Sequence, residues 1–446
     1  MTKKKNTIEL LAPAGNLEKL KTALTFGADA VYAGIPDFSL RVRINDFDLE
    51  RIKEATELCH ELGKKIYITT NIFAHNKHLD KLTDYVKILK KIGVDALIVA
   101  DPGVIQIIKN VWPQAEIHLS TQANCTNWQA AKFWHDLGVQ RVVLGREVTL
   151  SEIKEIKKRV PKLELEYFIH GAMCMAYSGR CFLSKHFVDK SANLGDCAQP
   201  CRWKYNTKSS QTAAPLAGIT NYELRNNEEH LIYEEKRPNS PLEIVEEEHG
   251  TYILNSKDLM LLDYLEELID AGVTSFKIEG RAKSVYYQAM IAGIYRHAID
   301  LLLTDKKIAK KEIKKMKKDL EEKIVSRGFT TGFLVGDKAD EDTENTHQVI
   351  GWEFCGQVQS IKNYELRITN KGKNFLTLVK VHNVIKIGDE LEIVMPFYEV
   401  KKMKLKKIYD VNTNEAIEKA HGGQERAVLI ETSFEIPEFS VLRRKV

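Results

Sequence analysis

The sequence predicts a parallel β/α barrel (TIM-like, α/β class) that carries a cysteine-rich insertion and is followed by a small C-terminal β-barrel domain. Three observations carry this. A helix–glycine–apolar run recurs through the first two thirds, that rhythm breaks at residues 171–250, and from about residue 349 the hydrophobic period changes to two. The first is the signature of βα units, the second of a functional insertion, and the third of short half-buried strands.

The repeated phrase is a helical pattern that ends on Gly and is followed within a few residues by a short run of apolar or β-branched residues. It occurs at Gly27 before Ala30-Val31-Tyr32-Ala33-Gly34, and at Gly63 before Ile66-Tyr67-Ile68-Thr69. It returns at Gly93 before Ala96-Leu97-Ile98-Val99-Ala100, at Gly138 before Val142-Val143-Leu144-Gly145, and at Gly272 before Phe276-Lys277-Ile278. Gly ends helices because it adopts the left-handed conformation without steric cost. The runs barely alternate, as expected of strands covered on both faces. Between them, Leu82, Val86 and Leu89 have helical spacing. Adding residues 8–12, 117–120 and 163–169 gives about eight units, the number that closes a barrel. Tyr252-Ile253-Leu254 could add a strand, which leaves the count open by one. A doubly wound open sheet is the alternative, and the absence of Gly-x-Gly-x-x-Gly after the first strand weakens its dinucleotide-binding form.

The expected domains are therefore a barrel over residues 1–300 with its insertion at 171–250, a basic helical linker at 301–345, and a β-domain at 346–446. In the linker, residues 306–318 hold eight lysines, while Ile313, Met316, Leu320 and Ile324 keep an apolar stripe. A solvated helix face and a nucleic-acid-facing surface are both readings of such a run. In the last domain Tyr364, Leu366 and Ile368 alternate with Glu365, Arg367 and Thr369, and residues 386–393 and 427–430 read as further strands. A second basic run, Lys401-Lys402-Met403-Lys404-Leu405-Lys406-Lys407, lies here.

Composition narrows the class. Of 446 residues, 43% are hydrophobic and 29% charged, and 66 Lys+Arg nearly balance 62 Asp+Glu, so the net charge of +4 does not by itself call for nucleic acid. No apolar run reaches the roughly 18 residues of a membrane span, so no membrane partner is expected. Met1-Thr2-Lys3-Lys4-Lys5 has the charge of a secretion signal, but the apolar stretch after it is short and broken by Glu9. The expected location is the cytoplasm.

Seven cysteines are present, four of them within 28 residues as C-x6-C-x15-C-x3-C: Cys174, Cys181, Cys197 and Cys201. In a reducing compartment such a group points to metal or redox chemistry rather than disulfides. A cubane iron–sulfur cluster takes one thiolate at each iron. Structural zinc also takes four, although its usual close pairs are matched only by the second pair here. Spacing alone leaves both open. Arg180, Lys185 and Arg202 would favour thiolate forms.

Leu11-Ala12-Pro13-Ala14-Gly15, Ser120-Thr121-Gln122, Gly145-Arg146-Glu147, the run Glu166-Tyr167-Phe168-Ile169-His170-Gly171 into Cys174, and Ser178-Gly179-Arg180-Cys181 occur in order. Asn255-Ser256-Lys257-Asp258-Leu259, Phe276-Lys277-Ile278-Glu279-Gly280-Arg281 and Arg327-Gly328-Phe329-Thr330-Thr331-Gly332 follow. Together they resemble the collagenase-like peptidase family U32 over nearly the whole chain. The resemblance implies an iron–sulfur cluster on the four cysteines and, for the members this chain is most similar to, oxygen-independent hydroxylation at C5 of the wobble uridine of tRNA, giving 5-hydroxyuridine. It also implies dependence on prephenate or a metabolite derived from it, and in some relatives a paired subunit of the same family. The family's older name implies peptidase activity instead, and a non-catalytic RNA-binding protein is a third reading.

In a barrel the chemistry sits at the C-terminal ends of the strands, where the sequence places Asn71, Asp101, Gln122, Arg146, Glu147, His170, Glu279 and Arg281. Arg146 and Arg281 are candidates to hold a dicarboxylate such as prephenate, since guanidinium binds carboxylate in a bidentate manner. Glu147 and Glu279 could orient them or move protons, and Asn71 and Gln122 are candidate substrate contacts. A barrel-mouth salt-bridge network is the bland reading of the same charges. His170 with Cys174 or Cys181 would serve a peptidase as a base–nucleophile pair, or is a hydrogen-bonded structural residue. Neither Gly-x-Ser-x-Gly nor His-Glu-x-x-His occurs.

Overall fold

The structure, a computed structural model, describes residues 8–35, 37–40, 46–174, 176–203, 205–209, 230–234, 237–244, 256–336, 350–360, 375–423 and 426–446. Its first part alternates β1 (Glu9–Pro13), α1 (Leu17–Thr25), β2 (Ala30–Ala33), α2 (Leu49–Glu61), β3 (Lys65–Thr70), α3 (Asn76–Ile92), β4 (Ala96–Val99) and α4 (Pro102–Val111). It continues with β5 (Ile117–Leu119), α5 (Trp128–Asp136), β6 (Arg141–Val143), α6 (Leu150–Arg159) and β7 (Glu164–Ala172).

The insertion contains α7 (Leu183–Val188) and an antiparallel sheet of β8 (Tyr205–Ser209), β9 (His230–Glu234) and β10 (Arg237–Ile244). Then β11 (Asp258–Met260) and α8 (Leu265–Asp270) lead to β12 (Ser275–Ile278). β12 pairs in parallel with both β1 and β7, which closes β1–β7 and β12 into an eight-stranded parallel barrel. These are the eight apolar runs singled out in the sequence. Gly27, Gly63, Gly93, Gly138 and Gly272 all have positive φ, from +65° to +106°, as helix-ending glycines require. Asn16, Asp48, Asp101, Asn127 and Thr149 cap the N-termini of α1, α2, α4, α5 and α6 with their side chains. The Asp101 carboxylate, at the end of β4, is thus engaged by the Val104 N–H at 3.0 Å.

β7 runs on past the barrel rim, where Met260, Leu259 and Asp258 of β11 pair antiparallel with His170, Gly171 and Ala172. β11 in turn carries β13 (Phe329–Thr330). This ledge supports the segment that enters the cysteine-rich loop.

The barrel interior departs from the branched apolar layers usual in such folds. Glu166, fully buried, accepts from Lys277 Nζ at 2.6 Å and from Arg141 Nη1 at 3.3 Å. Arg141 also reaches Glu9 at 2.5 Å and Glu164 at 2.8 Å, and the Tyr67 hydroxyl donates to Glu9 at 2.6 Å. Glu9 and Arg141 open their strands and Glu166 stands third of nine in β7, so this network starts at the end of the barrel opposite the mouth and reaches inward to Lys277. Alternation hidden inside short, mostly apolar runs accounts for it.

α9 (Val285–Thr304) packs against β1 and α1, and α10 (Lys306–Lys323) packs on α9. The predicted stripe is buried at Ile313, Met316, Leu320 and Ile324. Five of the α10 lysines pair with carboxylates: Lys306 with Glu266, Lys315 with Glu312, Lys317 with Asp263, Lys318 with Glu322, and Lys323 with Asp319 and Glu392.

The C-terminal part is antiparallel, with β14 (Trp352–Val358), β15 (Phe375–Val381), β16 (Ile385–Lys386), β17 (Glu390–Met395), β18 (Glu399–Lys404), β19 (Ile408–Asp410), β20 (Ala416–Ile417), β21 (Lys419–Ala420), β22 (Ala427–Thr432) and β23 (Val441–Lys445). Eight of these form one sheet in the order β18-β17-β23-β14-β15-β22-β19-β20, and β16 pairs with β21. Tyr252–Leu254 and the alternation at 364–369 lie outside the described residues. This sheet docks on α10 through Arg443, fully buried, which meets Glu392 at 2.8 Å and Asp319 at 3.4 Å; Lys323 meets the same two carboxylates at 3.1 and 2.9 Å. Among the described residues no helix is long and apolar enough to cross a membrane.

Candidate active site

The loop after β7 folds back over the barrel mouth and encloses a cavity of about 210 Å³. All four clustered cysteines line it, together with Gln122, Arg146 and Glu147 from the ends of β5 and β6. Residues 25 or more apart in sequence are thereby brought to one place. Burial pushes the Cys181 thiol up from its ordinary pKa, and the nearby Cys174 and Cys197 add to the shift. The other three cysteines, Cys59, Cys125 and Cys355, are buried elsewhere, and burial pushes each of them up to about 12.

One fastening of the loop to the barrel lies at Ser178. Glu147 Oε1 accepts from the Ser178 N–H at 2.7 Å and from its hydroxyl at 3.2 Å, and Thr121 Oγ1 lies 3.3 Å from Ser178 Oγ. Next to Ser178, Gly179 has φ +77° and lies so near the 3-10 turn after β5 that an added Cβ would stand 2.2 Å from the Gln122 carbonyl oxygen. Ser178 was not among the residues singled out as candidates, although the Ser-Gly-Arg-Cys motif that contains it was its signal.

Arg146 stacks on Phe168, with its guanidinium carbon 4.0 Å from the ring centroid, and donates through Nη1 to the Ala172 carbonyl. Its Nε is buried without a hydrogen-bond partner among the described residues. A guanidinium in a cavity wall suits an anionic or carbonyl oxygen.

The remaining candidates stand outside this lining. Asn71 donates to Ser120 Oγ at 3.0 Å and accepts from the Leu40 N–H at 3.4 Å. Arg281, buried, donates to Ser39 Oγ at 2.8 Å and to the Leu40 carbonyl. Leu40 lines the cavity, so these two side chains hold one of its walls. Glu279 follows β12, and its backbone N–H donates to the His170 carbonyl at 2.9 Å.

His170 is buried beneath the ledge, with Tyr287, Tyr295 and Phe329 around its ring. Burial lowers its pKa to about 3, so the ring is neutral at ordinary pH. The Tyr295 hydroxyl donates to the Ile169 carbonyl at 2.9 Å, so at 3.2 Å it accepts from His170 Nδ1–H. The structure does not bring His170 to the cavity that the cysteines line.

As a donor set, four thiols around one cavity suit a metal or cluster that takes thiolate ligands. The thiols share the cavity without forming a closed ligand set: among the described residues, no group of three His, Cys, Asp or Glu side chains stands at metal-ligand spacing.

Residues 15–344 match the sequence pattern described as Peptidase family U32, and residues 351–443 that of the Peptidase family U32 C-terminal domain. The chain belongs to peptidase family U32. It is 40% identical over 405 residues to tRNA hydroxylation protein P of Escherichia coli (strain K12), covering 87% of this chain and 86% of that one. It is 37% identical over 413 residues to tRNA hydroxylation protein P1 of Bacillus subtilis (strain 168), covering 91% and 88%. A solved structure described as a U32 peptidase matches with a TM-score of 0.38 at 14% identity, over 63% of this chain and 96% of that one.

Proposed function

We propose that this U32-family chain is a tRNA hydroxylase that forms 5-hydroxyuridine at the wobble position, with an iron–sulfur cluster on Cys174, Cys181, Cys197 and Cys201 and prephenate or a related dicarboxylate as cosubstrate. The observation that carries the reading is the convergence of four thiols and the Gln122, Arg146 and Glu147 side chains on one cavity at the barrel mouth. Support for the reaction class comes from relatives of nearly full length that are named for tRNA hydroxylation.

When bound, an iron–sulfur cluster supplies a redox centre or an iron that takes up a substrate oxygen. The protein's own residues would do the rest. Arg146, which lines the cavity, offers its guanidinium to a carboxylate of the cosubstrate while Phe168 fixes the guanidinium plane. Glu147 anchors the cysteine loop through Ser178. Gln122 is the candidate to read the polar edge of a base, since an amide can donate and accept at once. A base must leave its stack for C5 to reach such an enclosed place.

The test pairs two measurements. Protein purified without oxygen should carry iron and sulfide, and the Cys174→Ser/Cys181→Ser variant should lose both. Transfer RNA from a deletion strain should lack 5-hydroxyuridine and its derivatives, and only the wild-type gene should restore them. Zinc without sulfide would sink the cluster assignment. Unchanged nucleosides in the deletion strain would sink the hydroxylase.

A further inference from the structure

A second cavity, of about 330 Å³, lies against the first and is lined by Asp37, Phe38, Lys77, His78, Lys81 and Leu194. The two share both walls. Asn193 and Gly195 line the thiol cavity while Leu194, between them, lines the second; on the other side Leu40 lines the first and Phe38 the second. Consecutive Cα atoms stand about 3.8 Å apart, so the two linings draw on the same short stretches of chain. These stretches are fixed from below: Phe73 N–H donates to the Asn193 carbonyl at 3.0 Å and Ile72 N–H to the Phe38 carbonyl at 3.4 Å.

The second cavity is cationic. Lys77 and Lys81 are exposed, one helical turn apart on α3, and among the described residues neither has a carboxylate partner. His78 presents its other ring nitrogen, since Nδ1 accepts from the His75 N–H at 2.9 Å. Asp37 is the one carboxylate among the described residues of the lining. Of the basic runs conspicuous in the sequence, four of the eight lysines at 306–318 pair with the protein's own carboxylates, as do Lys401, Lys402 and Lys407 of the C-terminal part. Unbalanced positive charge therefore stands beside the thiol cavity.

We propose that this second cavity holds a backbone phosphate of the RNA whose base enters the thiol-lined cavity, with Lys77, His78 and Lys81 as its ligands. The inference rests on the RNA substrate proposed above and adds the group that sets the register of the strand. A base and an adjoining phosphate belong to one short stretch of nucleic acid, and two cavities lined by neighbouring residues of the same segments match that arrangement. Phosphate contacts position a nucleic acid without reading its sequence, which leaves base choice to the neighbouring cavity.

The experiment measures binding of an unmodified tRNA transcript to the full chain, by fluorescence anisotropy across a salt series, for wild type, Lys77→Gln/Lys81→Gln and Lys315→Gln/Lys318→Gln. The last pair removes the same charge from lysines that already have carboxylate partners. Losing a phosphate contact should weaken binding roughly three- to tenfold and flatten the slope of log affinity against log salt by about 0.7 to 0.9. The proposal expects this of the α3 variant, with a smaller effect from the α10 variant. Wild-type affinity and slope in the α3 variant would overturn the phosphate site and leave the RNA reading standing. A wild type that binds no tRNA would overturn both. Because both α3 side chains are exposed, thermal melting and iron and sulfide content should match wild type, which separates loss of a contact from collapse of the cysteine loop.

Discussion

Gly179→Ala adds one methyl group at the point where the cysteine loop touches the barrel. The new Cβ would lie 2.2 Å from the Gln122 carbonyl oxygen, 3.0 Å from its carbon and 3.2 Å from its Cα. Nonbonded heavy atoms settle at roughly 3.5–4.0 Å, so the overlap exceeds 1 Å by that measure, and every atom met is backbone. The residue also sits at φ +77°, which costs an L-residue roughly 1–2 kcal/mol. Overpacking adds about 1–3 kcal/mol, for a total of about 2–5 kcal/mol if the loop stays in place. Lifting the loop avoids that cost but takes Ser178 from Glu147 and Cys181 from the cavity. The expected outcome is loss of iron and sulfide after oxygen-free purification, with the barrel intact by circular dichroism. Gly336→Ala, whose Cβ would meet nothing within 4 Å, serves as the matched control. If Gly179→Ala keeps wild-type iron, sulfide and melting temperature, the loop is not held as argued.

Tyr177→Ala removes a ring that lines the thiol cavity yet is 64% exposed, so stability should hold within about 0.5 kcal/mol. RNA affinity should fall by about 1–3 kcal/mol if the ring stacks on a base, and equal anisotropy curves would remove it from the interface. Glu392→Ala strips buried Arg443 and Lys323 of a shared carboxylate, and should cost about 3–5 kcal/mol in a urea titration; a loss below about 1 kcal/mol would contradict the docking role given to this cluster. His170, held down to about 3 by burial, takes up a proton in the unfolded chain near pH 6.5 but in the folded chain only near pH 3. Its contribution is thus present above pH 6.5 and drains as pH falls towards 3, by about 1.4 kcal/mol per unit. His170→Asn should flatten the stability–pH curve in that window, and parallel curves for the two proteins would show that the ring is not buried neutral.

The eight barrel strands were legible because each is announced locally, by a helix-ending glycine or a short apolar run, and neighbours in sequence pair in space. The charged barrel interior was not. Lys277 and Glu166 are 111 residues apart, and nothing near either one names the other. The same limit divides the candidate site. Density marked the four cysteines, and position at a strand end marked Gln122, Arg146 and Glu147, all of which reach the cavity. Position at a strand end equally marked His170 and Arg281, but what surrounds them comes from far away: Tyr295 on α9 and Phe329 on β13 for the histidine, Ser39 and Leu40 for the arginine. Short periodicity tells where a side chain starts, and only the packed chain tells what it meets.

That distinction bears on the family's two histories. A cysteine peptidase needs one activated thiol with a base in hydrogen-bond reach, and the base oriented by a third group. Here the motif histidine is oriented, but by Tyr295, in a buried place, and among the described residues no histidine lines the cavity. The acid that does line it, Glu147, accepts from the Ser178 amide and hydroxyl instead of a thiol. Four cysteines facing one space, on a loop pinned by a carboxylate and a glycine that admits no side chain, suit the proposed ligand-holding device and are three more thiols than a nucleophile requires. On the same proposal, the Arg146 guanidinium in the cavity wall and the lysines of α3 beside it would supply contacts for two kinds of anion, a carboxylate and a phosphate. A hydroxylase that takes a carboxylate cosubstrate and an RNA uses every one of these features, whereas a peptidase leaves most of them without a task.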